Sequence, residues 1–349
     1  ETLRHFVRHA GVDGFRFDLA PIMGRDAHGF RADAELLTAI HSDPLLGDRI
    51  LIAEPWDIGP GGYQLGNFPP SFLEWNDRAR DAMRMFWRGD GGKLGSFVTA
   101  LAGSSDVFAR HGASTTRSVN FIAAHDGFSL MDLVSYAFKH NELNGEDNRD
   151  GHNENYSWNN GFEGESELIE VLDARQADIK ALLSSLFVSR GSIMLMAGDE
   201  MGRSQRGNNN AYAQDNALTW IDWPHVDEEL LAHTTSLAAI RKRFAALGDQ
   251  AFLGADDVIW LTPQGAPMQT WDWENPANGA FAMVLSGIDR QSGETSRLAV
   301  AFNRTMDDLE FRLPESLESW EVLIGGGRTV KARSVSVFAN SPGRNPTDA

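Results

Sequence analysis

The sequence predicts an α/β protein in two parts: a parallel sheet built from alternating strands and helices, followed by an antiparallel β-sandwich. Two stretches of pattern predict it. Over residues 1–247, short apolar runs alternate with segments of helical spacing, which is how β/α units around a parallel sheet read. Over residues 248–340 the runs become short, β-rich and separated by turn residues, the pattern of an antiparallel sandwich. The size agrees, because 349 residues of which 42% are hydrophobic can bury one large core and a smaller one.

Taken in order, "TLRHFVRHAG" reads as a short helix stopped by Gly11, a residue that readily takes the left-handed conformation ending a helix. Strands are expected at 15–19, 49–56, 118–126 and 192–200, apolar runs bounded by turn residues, with "FLEW" at 72–75 a weaker candidate. Between them "DAELLTAIHSD", "DRARDAMRMFWRG", "SLMDLVSYAFKH" and "ARQADIKALLSSLFVSRG" have helical spacing. In the second part "DVIWLTP", "MQTWDW", "AFAMVLSG", "RLAVAFN", "LEFRLP", "SWEVLIGG" and "SVSVFAN" are expected strands. Residues 341–349, "SPGRNPTDA", read as a frayed tail.

A net charge of −18 repels phosphate backbones and anionic lipid, which argues against nucleic acid or membrane as a main partner and favours a neutral ligand. No apolar stretch reaches the ~20 residues of a membrane span, and "SLFVSRGSIMLMAG" is interrupted by Arg190. The absence of cysteine excludes disulfides and thiolate metal sites, and a cytoplasmic location is expected. Because Glu1 is not a natural start, the chain is expected to begin inside a longer protein.

The run "GVDGFRFDLA" at 11–20 carries charge inside what otherwise reads as a buried strand. Alternate side chains share a face, so Arg16 and Asp18 point one way while Phe15, Phe17 and Leu19 point the other. A buried ion pair is the plain structural explanation. The other expected strands point further, since each ends on its carboxyl side in an acid: Asp18, Glu54, Asp126 and the pair Asp199/Glu200. In (β/α)8 barrels the active site is built at that rim. Two carboxyl groups on neighbouring strand ends are what glycoside hydrolysis requires, one ionised to attack the sugar carbon, the other kept protonated to donate to the leaving oxygen. Arg16 would hold Asp18 ionised by charge and hydrogen bonding.

"GFRFD", "AEPWD" and "AAHD", in this order on successive strands, resemble three of the four sequence signatures of the α-amylase superfamily, glycoside hydrolase family thirteen. The resemblance implies Asp18 as nucleophile, Glu54 as general acid/base and Asp126 as the third acid that steadies the distorted sugar, with Arg16 and His125 as helpers in substrate binding. "AEPWDIGPGGYQLGNFP", "EWNDRARDAMRMFWRGD", "HNELNGEDNRDGHNENYSWNNG" and "AGDEMGRSQRGNNNAYAQDN" are similar to bacterial glycogen debranching enzymes of isoamylase type, over about residues 1–245. The fold so implied is a partial (β/α)8 TIM barrel, about strands 4 to 8, in residues 1–247, with a β-sandwich domain at 248–340. The activity so implied is retaining hydrolysis of α-1,6 branch linkages in glycogen or limit dextrin, which needs no cofactor or metal because carboxyl groups supply both nucleophile and proton. The first family signature and the first three barrel strands are absent. The missing N-terminal barrel half is therefore expected in the full-length chain, and these residues alone are expected to aggregate or be inactive.

Trp56, directly after Glu54, is expected to stack on a sugar face; Tyr63 and Trp158 are further candidates, although tryptophan more often packs in cores. Asp199 and Glu200 are as readily caps of the following turn. The loop at 140–161 places Glu146, Asn148 and Asp150 before Gly151, but its first position is Glu and its twelfth is Ser157, so a calcium loop fails. "RGDGGKLG" lacks the glycine and hydroxyl of a phosphate loop. The Asn155 and Asn303 triplets carry no meaning in a cytoplasm. Two rivals remain: a branching-type α-glucan transferase using the same residues, and a non-catalytic glycogen-binding protein.

Overall fold

The computed structural model describes residues 1–110, 112–315 and 319–340; the expected tail at 341–349 lies outside them. The first part runs α1 (Thr2–Ala10), β1 (Gly14–Phe17), β2 (Arg25–Asp26), β3 (Gly29–Phe30), α2 (Glu35–His41), β4 (Ile50–Ala53), β5 (Phe72–Trp75) and α3 (Asp77–Arg88). It continues through α4 (Leu94–Leu101), α5 (Ser105–Phe108), β6 (Ser118–Asn120), α6 (Leu130–Leu133), α7 (Ile169–Val188), β7 (Ser192–Ile193), α8 (Glu228–Arg243) and α9 (Ala245–Gly248). The second part holds β8 (Val258–Leu261), α10 (Thr270–Glu274), β9 (Ala280–Ile288), β10 (Thr295–Asn303), β11 (Leu309–Glu310), β12 (Glu321–Ile324), β13 (Thr329–Val330) and β14 (Ser334–Asn340).

Five strands form a sheet in the order β1-β4-β5-β6-β7, with every pair parallel. The segments between them are long enough to cross over, and most carry helices, as parallel pairing demands. A second sheet, β12-β14-β10-β9-β8, is antiparallel throughout, and a ribbon of β11 and β13 lies beside it. The result is a mixed α/β fold. The sandwich expectation needs refinement, because the antiparallel sheet is covered differently on its two faces. One face packs Ala282, Val284, Ala299 and Phe338 against Phe311, Leu313 and Val330. The other faces the helices of the first part: Phe281 and Phe302 stack at 4.8 Å, Phe97 of α4 meets Phe302 edge-on at 5.5 Å, and Phe97 stacks on Phe86 of α3 at 4.1 Å. The 4.8 and 5.5 Å separations fall in the range favourable for aromatic pairs.

A buried ion pair ties the same two layers. Arg333 donates through Nε to Asp178 Oδ1 at 2.8 Å, while Trp158 and Asn160 donate to Asp178 Oδ2 at 2.7 and 3.1 Å. Trp158 is thereby engaged in packing and in holding Asp178.

Several expected boundaries shift. The strands stop early, at Phe17, Ala53, Asn120 and Ile193, so the acids that follow lie in turns beyond the sheet. "FLEW" is a full central strand. Its Glu74 is buried with its charge answered, because Arg117 donates to it at 2.8 Å, as does the Gly66 N–H at 2.6 Å. "MQTWDW" is a helical turn and not a strand: Gln269 and Asp272 cap one another reciprocally at its start, the capping-box arrangement. "SLMDLVSYAFKH" is helical only over α6, because the carbonyls of Leu133 and Ser135 accept the N–H groups of Trp158 and Gly164 at 3.0 and 2.8 Å.

Candidate active site

The parallel register sets Arg16 beside Ile52 and Phe17 beside Ala53, so the next residues, Asp18 and Glu54, leave neighbouring strands at the same level. The Glu54 N–H donates to Phe17 O and the Ala20 N–H to Glu54 O, both at 3.0 Å, which extends the pairing past the strand ends. Between the two carboxyl groups sits one guanidinium. Arg16 Nη1 donates to Asp18 Oδ1 at 2.5 Å, and Nη2 lies 3.1 Å from Glu54 Oε2, within ion-pair reach but off the direction of a hydrogen bond.

The two acids live in different surroundings. The Asp18 side chain is 68% exposed, that of Glu54 only 3%. Burial pushes the Glu54 carboxyl above its ordinary value; the Leu19 N–H, donating to Oε2 at 2.7 Å, and the charge of Arg16 oppose that rise, while the charges of Asp18 and Asp126 reinforce it. Leu19 adopts φ 45°, an uncommon conformation for a residue with a side chain, and in that turn its amide meets Glu54.

Asp126 follows the buried run Phe121–Ala124 beyond β6, and its charge reaches Glu54, so the three acids share one electrostatic neighbourhood. His125 Nδ1 lies 3.6 Å from Asp126 Oδ1, and its ring meets Trp75 edge-on at 5.9 Å. Trp56 is half-buried, its ring 6.5 Å from that of Trp75 in a cluster with Val119, Phe121 and Ala124. A cavity of 480 Å³ opens beside His125 and Trp75 and is lined by Met194, Met196, Gln205 and Tyr212.

Other expected residues lie elsewhere. Tyr63 donates its hydroxyl to Asp77 at 2.8 Å. Asp199 is buried and accepts the Leu130 N–H at 2.9 Å, capping α6. Glu200 accepts the Gly198 N–H. The polar loop at 140–161 is tied to residues 205–210 by side-chain amides: Asn141 and Asn209 exchange hydrogen bonds at 2.9 Å, and Asp150 Oδ2 accepts from Asn144 and Asn210 at 2.7 and 2.8 Å. Among the described residues no group of three or more His, Cys, Asp or Glu could hold a metal ion.

Two contacts of this cluster carry no clear sequence signal: the Leu19 N–H on Glu54 and the Trp75 ring on Arg16. The Leu19 N–H is a backbone group with no side-chain signal. Trp75 was visible only as the last residue of a weak strand, although it stands where the acids of neighbouring strands stand.

The same arrangement, a parallel sheet with an antiparallel sheet packed on its helices, is found in solved structures. The type I pullulanase of Bacillus subtilis complexed with maltose has a TM-score of 0.69 at 18% identity, with 97% of this chain and 45% of that chain covered. The pullulanase of Paenibacillus barengoltzii, in complex with maltohexaose and α-cyclodextrin, has a TM-score of 0.65 at 23% identity, with 97% and 49% covered. The pneumococcal glycogen-degrading virulence factor SpuA has a TM-score of 0.61 at 16% identity, with 98% and 39% covered. The chain thus spans less than half the length of each of these three. No family model matches the sequence.

Proposed function

We propose that the chain carries the catalytic acids of a retaining glycoside hydrolase that cleaves α-1,6 branch linkages of an α-glucan, glycogen or its limit dextrin, in the manner of a debranching enzyme of isoamylase type. The observation that supports it best is Arg16 bridging exposed Asp18 and buried Glu54 on adjacent parallel strand ends. A single guanidinium between them favours the short carboxyl separation, ~5–5.5 Å, of retaining enzymes over the wider gap of inverting ones.

Asp18, solvated and paired with Arg16, attacks the anomeric carbon as the carboxylate. Glu54, whose burial favours the protonated form, gives its proton to the departing C6 oxygen. The resulting glucosyl ester on Asp18 is opened by water that Glu54, now a carboxylate, deprotonates, so configuration is retained. Asp126 and His125 hold the distorted sugar, and Trp56 stacks on a sugar face at the rim. Residues 1–247 belong in this reading to strands 4 to 8 of a (β/α)8 barrel and residues 248–340 to a β-domain packed on it. An unshielded polyanion would be repelled by the net charge of −18, whereas a neutral glucan is not. A cytoplasmic site of action goes with glycogen as substrate.

The test is the release of linear chains from limit dextrin, followed by NMR of the newly formed anomeric centre. Asp18→Asn and Glu54→Gln are each expected to lower turnover at least ~1,000-fold with the fold unchanged. Near-parental turnover in either variant, or an inverted anomer, would sink the reading; altered branch lengths without new reducing ends would favour a transferase.

A further inference from the structure

The guanidinium of Arg16 is held on one side by carboxylates and on the other by an aromatic ring. Its carbon lies 4.3 Å from the centre of the Trp75 ring, well inside the ~6 Å range of a cation–π contact. Arg16 Nε is buried with no hydrogen-bond acceptor, and Nη2 has only its ion-pair contact with Glu54, so the indole face helps compensate the cation for lost water. Trp75 is itself fixed: it ends a strand paired on both sides, is 6% exposed, packs against Phe121 at 5.4 Å and meets His125 at 5.9 Å. Arg16 reaches it from β1 across the whole width of β4.

We infer that Trp75 is a positioning residue: its indole face fixes the guanidinium of Arg16 between Asp18 and Glu54, and its edge sets His125 beside Asp126. The inference rests on the catalytic assignment proposed above for its consequence in turnover, but its electrostatic consequence is readable without turnover. The charged groups facing Glu54 are Arg16 and Asp18 from the β1 end and Asp126 from the loop after β6; the Leu19 N–H is its hydrogen-bond donor, and Glu74 of β5 is turned away onto Arg117. Of these only Arg16 is a cation. Removing the ring lets Arg16 follow exposed Asp18 toward solvent, and Glu54 then loses the cation paired with it. A carboxyl group deprived of an adjacent cation holds its proton to higher pH.

The experiment is a carbon-13 NMR titration of the Glu54 carboxyl in the parent chain, Trp75→Phe, Trp75→Leu and Arg16→Gln, paired with pH–rate profiles on limit dextrin. Trp75→Phe keeps a π face and is expected to leave the midpoint within about 0.3 unit of the parent. Trp75→Leu is expected to raise it by about one unit, in the range an adjacent charge commands, and to carry the basic limb of the rate profile upward with it. In the Arg16→Gln background Trp75→Leu is expected to add no further shift, which a merely structural tryptophan would not reproduce. Should Trp75→Leu fail to give the parental circular dichroism, Trp75→Met, longer and without a π face, is titrated in its place. An unchanged midpoint in the folded Leu or Met variant, or an equal shift in the Arg16→Gln background, overturns the inference. If Glu54→Gln remains active while the titration shifts as expected, the catalytic assignment fails and the positioning stands.

Discussion

Replacing Arg333 by alanine removes the cation from a pair that ties the antiparallel sheet to α7. Asp178 is 1% exposed on its side chain and Arg333 18%, so the pair is shielded from water and only weakly screened. Breaking a buried pair by deleting one partner costs roughly 3–5 kcal/mol, because the remaining charge is stranded. Here Asp178 keeps the N–H groups of Trp158 and Asn160, which places the expected loss near the lower end, about 3 kcal/mol. For a chain of 349 residues that corresponds to a fall in Tm of about 4 °C, taking ~2.1 cal/mol/K of unfolding entropy per residue. Burial already pushes the Asp178 carboxyl up, against the pull of Arg333. Without Arg333 the folded pKa rises further above the unfolded one, so the native state keeps a proton that the unfolded chain releases. Stability of the variant then falls as pH rises through that folded pKa, and the deficit should be larger at pH 8 than at pH 5. Guanidinium melts of the parent, Arg333→Ala, Asp178→Asn and the double variant at both pH values give the loss and the coupling. A loss under about 0.5 kcal/mol at pH 8, the size of an exposed pair, would refute the claim that the two layers are locked by this contact.

Further outcomes are expected elsewhere. Burial pushes the Asp199 carboxyl up to about 7, so it binds a proton in the folded state that the unfolded chain loses near pH 4; stability should decline between those values, and Asp199→Asn, which still accepts the Leu130 N–H, should flatten that decline in melts taken from pH 4 to 8. A parallel fall in the Asn variant would contradict it. A Cβ on Gly14 would come within 2.7 Å of Ile50 Cβ, so Gly14→Ala should cost about 1–3 kcal/mol by prising β1 from β4, and an unchanged denaturation midpoint would show that the strands yield freely. The outer edges of β1 and β7 carry no strand partner among the described residues, and open edges invite pairing between molecules. Light scattering should therefore show concentration-dependent association, whereas a monodisperse, cooperatively unfolding monomer at high concentration would count against it.

The sequence by itself determined the existence and order of the parallel strands, because a buried strand is an apolar run between turn residues and that signal is local. It likewise placed Asp18, Glu54 and Asp126, since an acid just past such a run must emerge at the sheet's carboxyl end. It under-read "FLEW" because Glu74 looks misplaced in a core until Arg117, 43 residues away, is seen beside it. It misread "MQTWDW" because aromatic alternation imitates a strand, while the reciprocal cap of Gln269 and Asp272 that makes it helical depends on side-chain geometry. Only the tertiary structure decided that the β-rich part shares its aromatic core with α3 and α4, that Asp178 answers Arg333 across 155 positions, and that Trp75 lies under Arg16 with β4 between them. Hydrophobic period and turn chemistry act between neighbours in the chain; ring faces, ion pairs and the protonation of a buried carboxyl are set by neighbours in space, which exist only once the sheet has been assembled.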